Sequence, residues 1–166
     1  MKVLLSLFVL LLVAGGIYCW GGNSLDERQV RAFYAQAEQA LLEGDDEALC
    51  DMLADGYRQA SVLKTEAGQI EQDVDKQRYC EEVAQTTKAM QQLREAMGGY
   101  SPIRYEQQIK RITLFEDGEQ AKVEMTSTLD MAGMRLVSRN RDTIERRRWR
   151  TQLVSSVGVV HAGGTQ

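Results

Sequence analysis

The amino-acid sequence predicts an α+β domain behind an N-terminal transmembrane helix. Residues 3–20 carry no charge, apolar residues then recur at spacings of three and four, and the spacing changes to two after Pro102. The first spacing is typical of one face of a helix, and the second is typical of a strand with one buried face. We therefore expect three helices and an antiparallel sheet of about four strands.

Length and charge limit the classes of function. The 166 residues amount to about one domain, and the chain has one proline and no biased tract. The formal net charge of −4 argues against a general binder of polyanions. We expect no nucleic-acid partner.

The N-terminal segment has the length of a membrane span. Residues 3–20 would form a helix about 27 Å long, close to the roughly 30 Å hydrocarbon core of a bilayer. We expect a signal anchor in residues 1–22, followed by one domain in residues 23–166. A signal peptide cleaved near Ala14 and Gly16 is the alternative. A lipoprotein signal is less favoured, because a bulky tyrosine precedes Cys19.

Charges around this segment predict its orientation. Lys2 precedes the segment, whereas Asp26 and Glu27 follow it. Because positive charge favours the cytoplasmic side, we expect a single-pass inner (cytoplasmic) membrane protein with its domain on the extracytoplasmic side. Cleavage would instead release the domain into the periplasm. Either location allows a protein partner in the cell envelope.

Three helices are predicted before Pro102. The first begins at a capping box of Ser24 and Glu27 and ends at Gly44. The second begins at Asp45 or Asp46 and ends at Gly56. The third ends at residues 98–99. The inward faces are formed by Val30, Phe33, Tyr34, Ala37 and Leu41 in the first helix, by Leu49, Met52 and Leu53 in the second, and by Tyr79, Val83, Thr86, Met90, Leu93 and Met97 in the third.

Four long strands are predicted after Pro102. The first covers Ile103 to Phe115, and a slip in its alternation between Ile109 and Ile112 predicts a β-bulge. Turns at residues 116–119 and 131–134 flank a second strand, in which apolar and polar residues alternate. The third strand begins at Met134, and the fourth runs from about residue 149 to residue 161.

This order of elements resembles the nuclear transport factor 2-like superfamily. The resemblance rests on EGDDEALCDMLADGY, in which Gly44 and Asp45 open a short second helix, and on the strand pair DTIERRRWRTQLVSS. It covers residues 25–160. It implies a cone, in which a curved antiparallel sheet wraps around the helices and leaves a pocket at its open end. The family usually has a glycine in the turn before its tryptophan, where this chain has residues 146–148, all arginine.

Six arginines lie among residues 139–150. The alternation places Arg135, Arg139 and Arg141 on the outer face of their strand, and residues 146–148 in or beside a hairpin turn. Glu124 or Asp130 on the neighbouring strand would pair with this solvated face. A protein partner, a second copy of the chain or anionic lipid is the alternative. No aromatic platform accompanies the arginines, which argues against nucleic acid.

The same alternation places Asn140 and Asp142 inward, and Tyr34 and Tyr57 approach from the helical side. We expect these four residues to form the ligand-binding site of the cone. Enzymes of the superfamily use carboxylates, tyrosines or histidines inside the cone, so the resemblance makes Asp142 a candidate general base, with Asn140 and Tyr34 beside it. A carboxylate in an apolar pocket has the raised pKa that this role needs. Hydrogen-bonding residues that close the rim of a pocket are the more ordinary interpretation.

Motifs of other catalytic classes are absent from the sequence. It contains no HExxH, GxSxG, Walker or Rossmann pattern, and its three cysteines and single histidine do not form a zinc motif. We therefore expect neither a metal nor another cofactor.

Two cysteines follow the N-terminal segment. Cys50 and Cys80 each lie one step off the apolar face of a predicted helix. In an oxidising compartment they are candidates for a disulfide that stabilises the fold by about 3 kcal/mol. Two independent buried thiols are the alternative.

Two functions remain open at the level of sequence. The first is a membrane-tethered, non-catalytic module that binds a partner protein or a small ligand through its cone or its outer sheet. The second is a small-molecule enzyme of the superfamily, of the isomerase, dehydratase or hydrolase type, with Asp142 as its base. An unpaired carboxylate in a deep cavity favours the enzyme, and an apolar-filled cone favours the module.

Overall fold

The computed structural model describes residues 15–16, 22–98, 103–131 and 133–164. The domain in this part of the chain has three helices, α1 Glu27–Glu43, α2 Asp46–Asp51 and α3 Lys76–Ala96. Its strands are β1 Leu53–Thr65, β2 Gly68–Asp75, β3 Ile103–Leu114, β4 Gln120–Met131, β5 Met134–Arg147 and β6 Arg150–Gly164. The predicted α+β class with a curved sheet is confirmed.

The strands form one sheet in the order β2-β1-β6-β5-β4-β3. Strands β3 to β6 make an antiparallel meander, as predicted. The prediction of about four strands was wrong, because β1 and β2 add a hairpin at the other edge. The expectation of a purely antiparallel sheet was also wrong, because β1 runs parallel to β6.

Residues 53–75 account for this error. The predicted second helix extends to Gly56, whereas α2 ends at Asp51 and Leu53 already belongs to β1. Polar Gln59 and Ser61 lie on the buried side of β1, while Ala60 is exposed. The strand therefore lacks the usual alternation of apolar-in and polar-out residues.

The first helix begins later than predicted. Asp26, rather than Ser24, is the N-cap, and it forms a capping box with Gln29. The amide of Leu25 donates to the carbonyl of Gly118 at 2.7 Å. This bond attaches Leu25 to the turn at the end of the sheet, so the helix begins only after Asp26. The predicted stop at Gly44 is confirmed by its left-handed φ of 75°.

Other local predictions hold. Asp45 caps α2 by accepting a hydrogen bond from the amide of Ala48. The expected bulge lies between Ile109 and Arg111 of β3, where the register with β4 shifts. Turns follow β3 and β4 at the predicted positions.

The core lies between α1 and the sheet. Apolar residues of α1 and of β4 and β5 make up most of it, namely Val30, Phe33, Tyr34, Ala121, Val123, Met125 and Ile144. Full burial of a large apolar side chain stabilises a fold by roughly 1.5–3 kcal/mol, so this layer fixes α1 on the sheet.

The turn between β5 and β6 differs in detail from the prediction. Two of its expected arginines, Arg146 and Arg147, complete β5, and β6 begins at Arg150 rather than Trp149. The turn itself consists of Arg148 and Trp149, with φ of 50° and 69°. Two left-handed residues fit a two-residue hairpin of type I′, a turn in which glycine is usual.

No helix in the described part of the chain is both long and apolar enough to cross a membrane. The predicted span, residues 3–20, lies outside the described residues except for Gly15 and Gly16.

Candidate functional site

A buried carboxylate lies at the centre of the inner face. Asp142 of β5 is 3 % exposed. The hydroxyl of Tyr34 on α1 donates to Asp142 Oδ2 at 2.6 Å, and the hydroxyl of Ser156 on β6 donates to Oδ1 at 2.7 Å. Tyr34 and Asp142, both nominated from the sequence, are thus brought together. The sequence does not indicate Ser156 as a site residue. Only the register between β5 and β6, which pairs Ser156 with Asp142, identifies it.

Burial controls the protonation of this pair. It raises the pKa of Asp142, although the hydrogen bonds from Tyr34 and Ser156 act in the opposite direction. Burial, followed by the nearby Asp142, raises the pKa of Tyr34 far above its ordinary value. The phenol therefore remains a donor throughout the physiological pH range.

Three more tyrosines surround the carboxylate. Tyr57 is buried, and its hydroxyl donates to Gln59 Oε1 at 3.1 Å rather than to Asp142. Its ring packs edge-on against Tyr79 of α3 at 5.4 Å. Burial raises the pKa of Tyr57, Tyr79 and Tyr105, and the charge of Asp142 adds to this in each case. The sequence predicts Tyr79 only as part of a helix face and does not indicate Tyr105 as a site residue.

The arrangement gives Asp142 a bridging position. Its two oxygens accept short hydrogen bonds from α1 and from β6, so the side chain ties the first helix to two strands. Asp142, Tyr34 and Tyr57 line neither the groove nor the cleft described below. Both carboxylate oxygens are engaged within the protein.

Asn140 occupies the next inward position of β5. It lies opposite Gly158 of β6, and a Cβ at position 158 would overlap Asn140 Oδ1. The Asn140 side chain therefore covers the glycine and makes no hydrogen bond within the described residues. The structure does not join it to Asp142.

The outer face of the sheet carries a groove of about 770 Å³. Its floor is apolar and comes from β1 and β6, namely Ala60, Val62, Val157 and Val159. Glu71 and Asp73 of β2 flank it on one side, and Arg139 and Arg141 of β5 flank it on the other. The registers place Asp73, Ala60, Val157 and Arg141 in one row across the sheet, and Glu71, Val62, Val159 and Arg139 in the next.

The predicted arginine face is exposed. Arg135 donates to Asp130 at 2.6 Å, and this contact holds the pKa of the carboxyl below its usual range. Arg141 lies 3.6 Å from Glu124, whereas Arg139 has no ion pair within the described residues. Both expected acidic partners on β4 are therefore used, and the arginines beside the groove are the less firmly paired ones.

A disulfide joins Cys50 of α2 to Cys80 of α3. The Cα atoms lie 5.6 Å apart, within the range that such a bond requires. It secures the short second helix to the third. Among the described residues, no cluster of three or more histidine, cysteine or acidic side chains could hold a metal ion.

No family model matches the sequence, and no curated protein matches it. Solved structures match its fold. A conserved protein from Planctomyces limnophilus has a TM-score of 0.56 at 14 % identity, and the match covers 83 % of this chain and 98 % of that one. A nuclear transport factor 2-like protein of unknown function from Shewanella baltica has a TM-score of 0.56 at 11 % identity, covering 86 % and 100 %.

The beta subunit of the benzoate 1,2-dioxygenase from Burkholderia mallei also shares the architecture. Its TM-score is 0.56 at 12 % identity, and the match covers 82 % of this chain and 91 % of that one. Likeness at such identities concerns the fold alone. The domain thus has the nuclear transport factor 2-like, or cystatin-like, fold expected from its sequence.

Proposed function

We propose that this protein is a membrane-tethered, extracytoplasmic interaction module that is not catalytic and that binds a protein partner through the outer face of its sheet. The outer groove carries the proposal. Val157 is 57 % exposed at the centre of the sheet and lies between flanks of opposite charge. An apolar patch rimmed by polar residues is typical of a protein interaction site.

The partner that fits this surface is a second copy of the chain. A two-fold axis along the strands, between β1 and β6, would place the two apolar floors against each other. The same rotation would place Asp73 opposite Arg141 of the second copy, and Glu71 opposite Arg139. Self-complementarity of this kind is what a symmetric dimer requires.

The charges also select this arrangement over its alternative. An axis perpendicular to the strands would place β2 against β2 and bring the acidic flanks together, which costs free energy. Glu71, Asp73 and Arg139 form no ion pair with other described residues, so they are available to a partner. Opposite charges across an interface fix its orientation more than they add affinity.

The remaining parts of the proposal rest on the sequence and on the inner site. Residues 3–20 have the length and apolar character of a span, and the flanking charges favour an extracytoplasmic domain. The enzymatic alternative requires a carboxylate open to substrate, and Asp142 instead accepts a hydrogen bond at each oxygen. The cone therefore favours a structural role for this residue.

Charge reversal tests the interface with the full chain in detergent. One variant, R139E/R141E, makes both flanks of the groove acidic, and the other, E71R/D73R, makes both basic. Each should be monomeric alone by sedimentation velocity, because like charges would face each other. Mixed, the two variants should form a heterodimer, since every facing pair is then opposite in sign.

Arg135 provides the control. It is paired with Asp130 outside the groove, so R135E should leave the dimer intact. A wild-type chain that sediments as a monomer at tens of micromolar would contradict the proposed partner. Failure of the two variants to associate when mixed would contradict the proposed charge pairing between facing grooves.

A further inference from the structure

The turn between β5 and β6 lies where the polypeptide enters the domain. The amide of Trp149 donates to the carbonyl of Gly22 at 2.7 Å, and the amide of Arg148 donates to Asn23 Oδ1 at 2.9 Å. Residue 20, the last of the apolar segment, is only two residues from Gly22.

The turn presents an exposed aromatic ring. Trp149 is 48 % exposed, and the guanidinium of Arg146 lies 5.8 Å from the centre of its ring. Arg148 and Trp149 adopt left-handed backbone conformations, which are strained for residues other than glycine. The hydrogen bonds to residues 22–23 hold them there. The ring is thus kept at the surface beside the start of the domain.

A cleft of about 540 Å³ opens beside this ring, between α1, α2 and the turn. Arg146 and Arg150 line it, together with Gln29, Gln36 and Trp149. Arg146 Nε is buried and has no hydrogen-bond partner within the described residues. Arg146 Nη1 donates to Thr151 Oγ1 at 3.1 Å, and Nη2 has no hydrogen-bond partner within the described residues. Nη2 is therefore the donor that an acidic oxygen in the cleft would engage.

Carboxylates also lie near the cleft. Asp51 lines it, and its backbone carbonyl, rather than its carboxylate, accepts a hydrogen bond from Arg150. Glu116, Asp117 and Glu119 belong to the neighbouring β3–β4 turn and do not line it. The cleft is therefore lined by two arginines and one acidic residue.

We propose that this cleft binds the phosphate of anionic phospholipid headgroups, with Trp149 lying in the interfacial layer of the membrane. The inference rests on the membrane tether of the proposed function. Guanidinium groups bind phosphate through paired N–H donors, and tryptophan is enriched at the membrane interface. Each basic residue held near an anionic surface strengthens its attachment. The domain would thereby be oriented on the bilayer rather than only tethered to it.

The test uses the full chain reconstituted into vesicles. Trp20 is changed to phenylalanine, so that Trp149 is the only tryptophan. Brominated phosphatidylcholine is included as the quencher, with or without phosphatidylglycerol. We expect quenching and a blue shift of Trp149 emission with phosphatidylglycerol, and a loss of both at high salt.

Matched variants separate the cleft from general charge. R146Q/R150Q should lose the dependence on phosphatidylglycerol. R104Q/R135Q, which removes the same charge away from both the cleft and the outer groove, should retain it. R150Q alone should weaken it, and this variant leaves Arg146 in place to pack on the ring.

The outcomes distinguish this inference from the tether. In one outcome, the protein stays with the vesicles after an alkaline wash while its Trp149 emission does not change with lipid composition. That result would overturn the headgroup site but support the tether. Protein released by the wash would overturn the tether itself. A response to inorganic phosphate equal to that of phosphatidylglycerol would assign the cleft to a free anion and reject the lipid.

Discussion

The hydroxyl of Tyr34 and the carboxylate of Asp142 lie 2.6 Å apart and connect α1 to β5 through the core. Ser156 of β6 occupies the other carboxylate oxygen, so one buried side chain joins three elements. Loss of either donor would leave a buried oxygen without a hydrogen-bond partner, which is costly. The pair should therefore contribute to stability and respond to pH.

Removal of the Tyr34 hydroxyl should destabilise the domain. Y34F leaves Asp142 Oδ2 without its donor, and a buried acceptor left without a partner costs roughly 1–3 kcal/mol. Urea unfolding measures the change. Y105F is the matched control, because the Tyr105 hydroxyl makes a long 3.4 Å bond to Gln107, and it should cost less. Equal losses in the two variants would contradict the proposed importance of the Tyr34 bond.

The stability of the domain should fall as Asp142 ionises. Burial raises the pKa of Asp142 in the folded state, so the folded protein keeps this proton where the unfolded chain has released it. Its contribution to stability is complete below the unfolded pKa of about 3.9 and declines as pH rises through the folded pKa.

D142N isolates this titration from that of the other carboxylates. The free energy of unfolding of the wild type, relative to that of D142N, should fall as pH increases above about 4. Urea unfolding at a series of pH values provides the measurement. The opposite slope would mean that the two hydrogen bonds outweigh burial and lower the pKa of Asp142.

The Cys50–Cys80 disulfide should stabilise the domain. The bond joins residues 30 positions apart, which corresponds to about 3–4 kcal/mol in the chain-entropy model. C50A/C80A in a C19S background should unfold at lower urea concentration than C19S alone, and reduction of C19S should produce a similar loss. Mass spectrometry of non-reduced peptides should find the linked pair, and two freely alkylated thiols would contradict it.

Gly158 should not tolerate a side chain. A Cβ there would overlap Asn140 Oδ1 and come within 2.9 Å of the carbonyl oxygen of Arg139. G158A should cost about 1–3 kcal/mol by overpacking, and N140A should restore only part of this because the backbone contact remains. G163A on the same strand meets nothing within 4 Å and is the control. Equal unfolding midpoints for G158A and G163A would contradict the close approach of β5 and β6.

The predicted orientation in the membrane can be tested by gene fusion. Alkaline phosphatase joined after Gln166 should be active and should remain in the membrane fraction, because the enzyme requires an oxidising compartment for its disulfides. An inactive fusion would reverse the topology. Active fusion in the soluble fraction, with a shortened N-terminus, would mean that residues 1–22 contain a cleaved signal peptide.

Local patterns in the sequence were sufficient for the class of fold and for most elements. Spacings of three and four predicted α1 and α3, and alternation predicted β3 to β6 with the bulge after Ile109. The outward position of Arg135, Arg139 and Arg141 followed from the same alternation. These features depend on residues close together in the chain, and their periodicity is visible without tertiary structure.

The tertiary structure alone decided how distant segments meet. The β1–β2 hairpin was hidden, because Gln59 and Ser61 lie on its buried side and interrupt the apolar pattern. Strand registers placed Ser156 beside Asp142 and set acidic β2 and basic β5 on opposite sides of an apolar floor. Gly22, where the chain enters the domain, accepts a hydrogen bond from the amide of Trp149, more than a hundred residues later in the sequence. Such contacts depend on pairing between segments that are remote in the sequence. The local spacing of apolar residues does not determine that pairing.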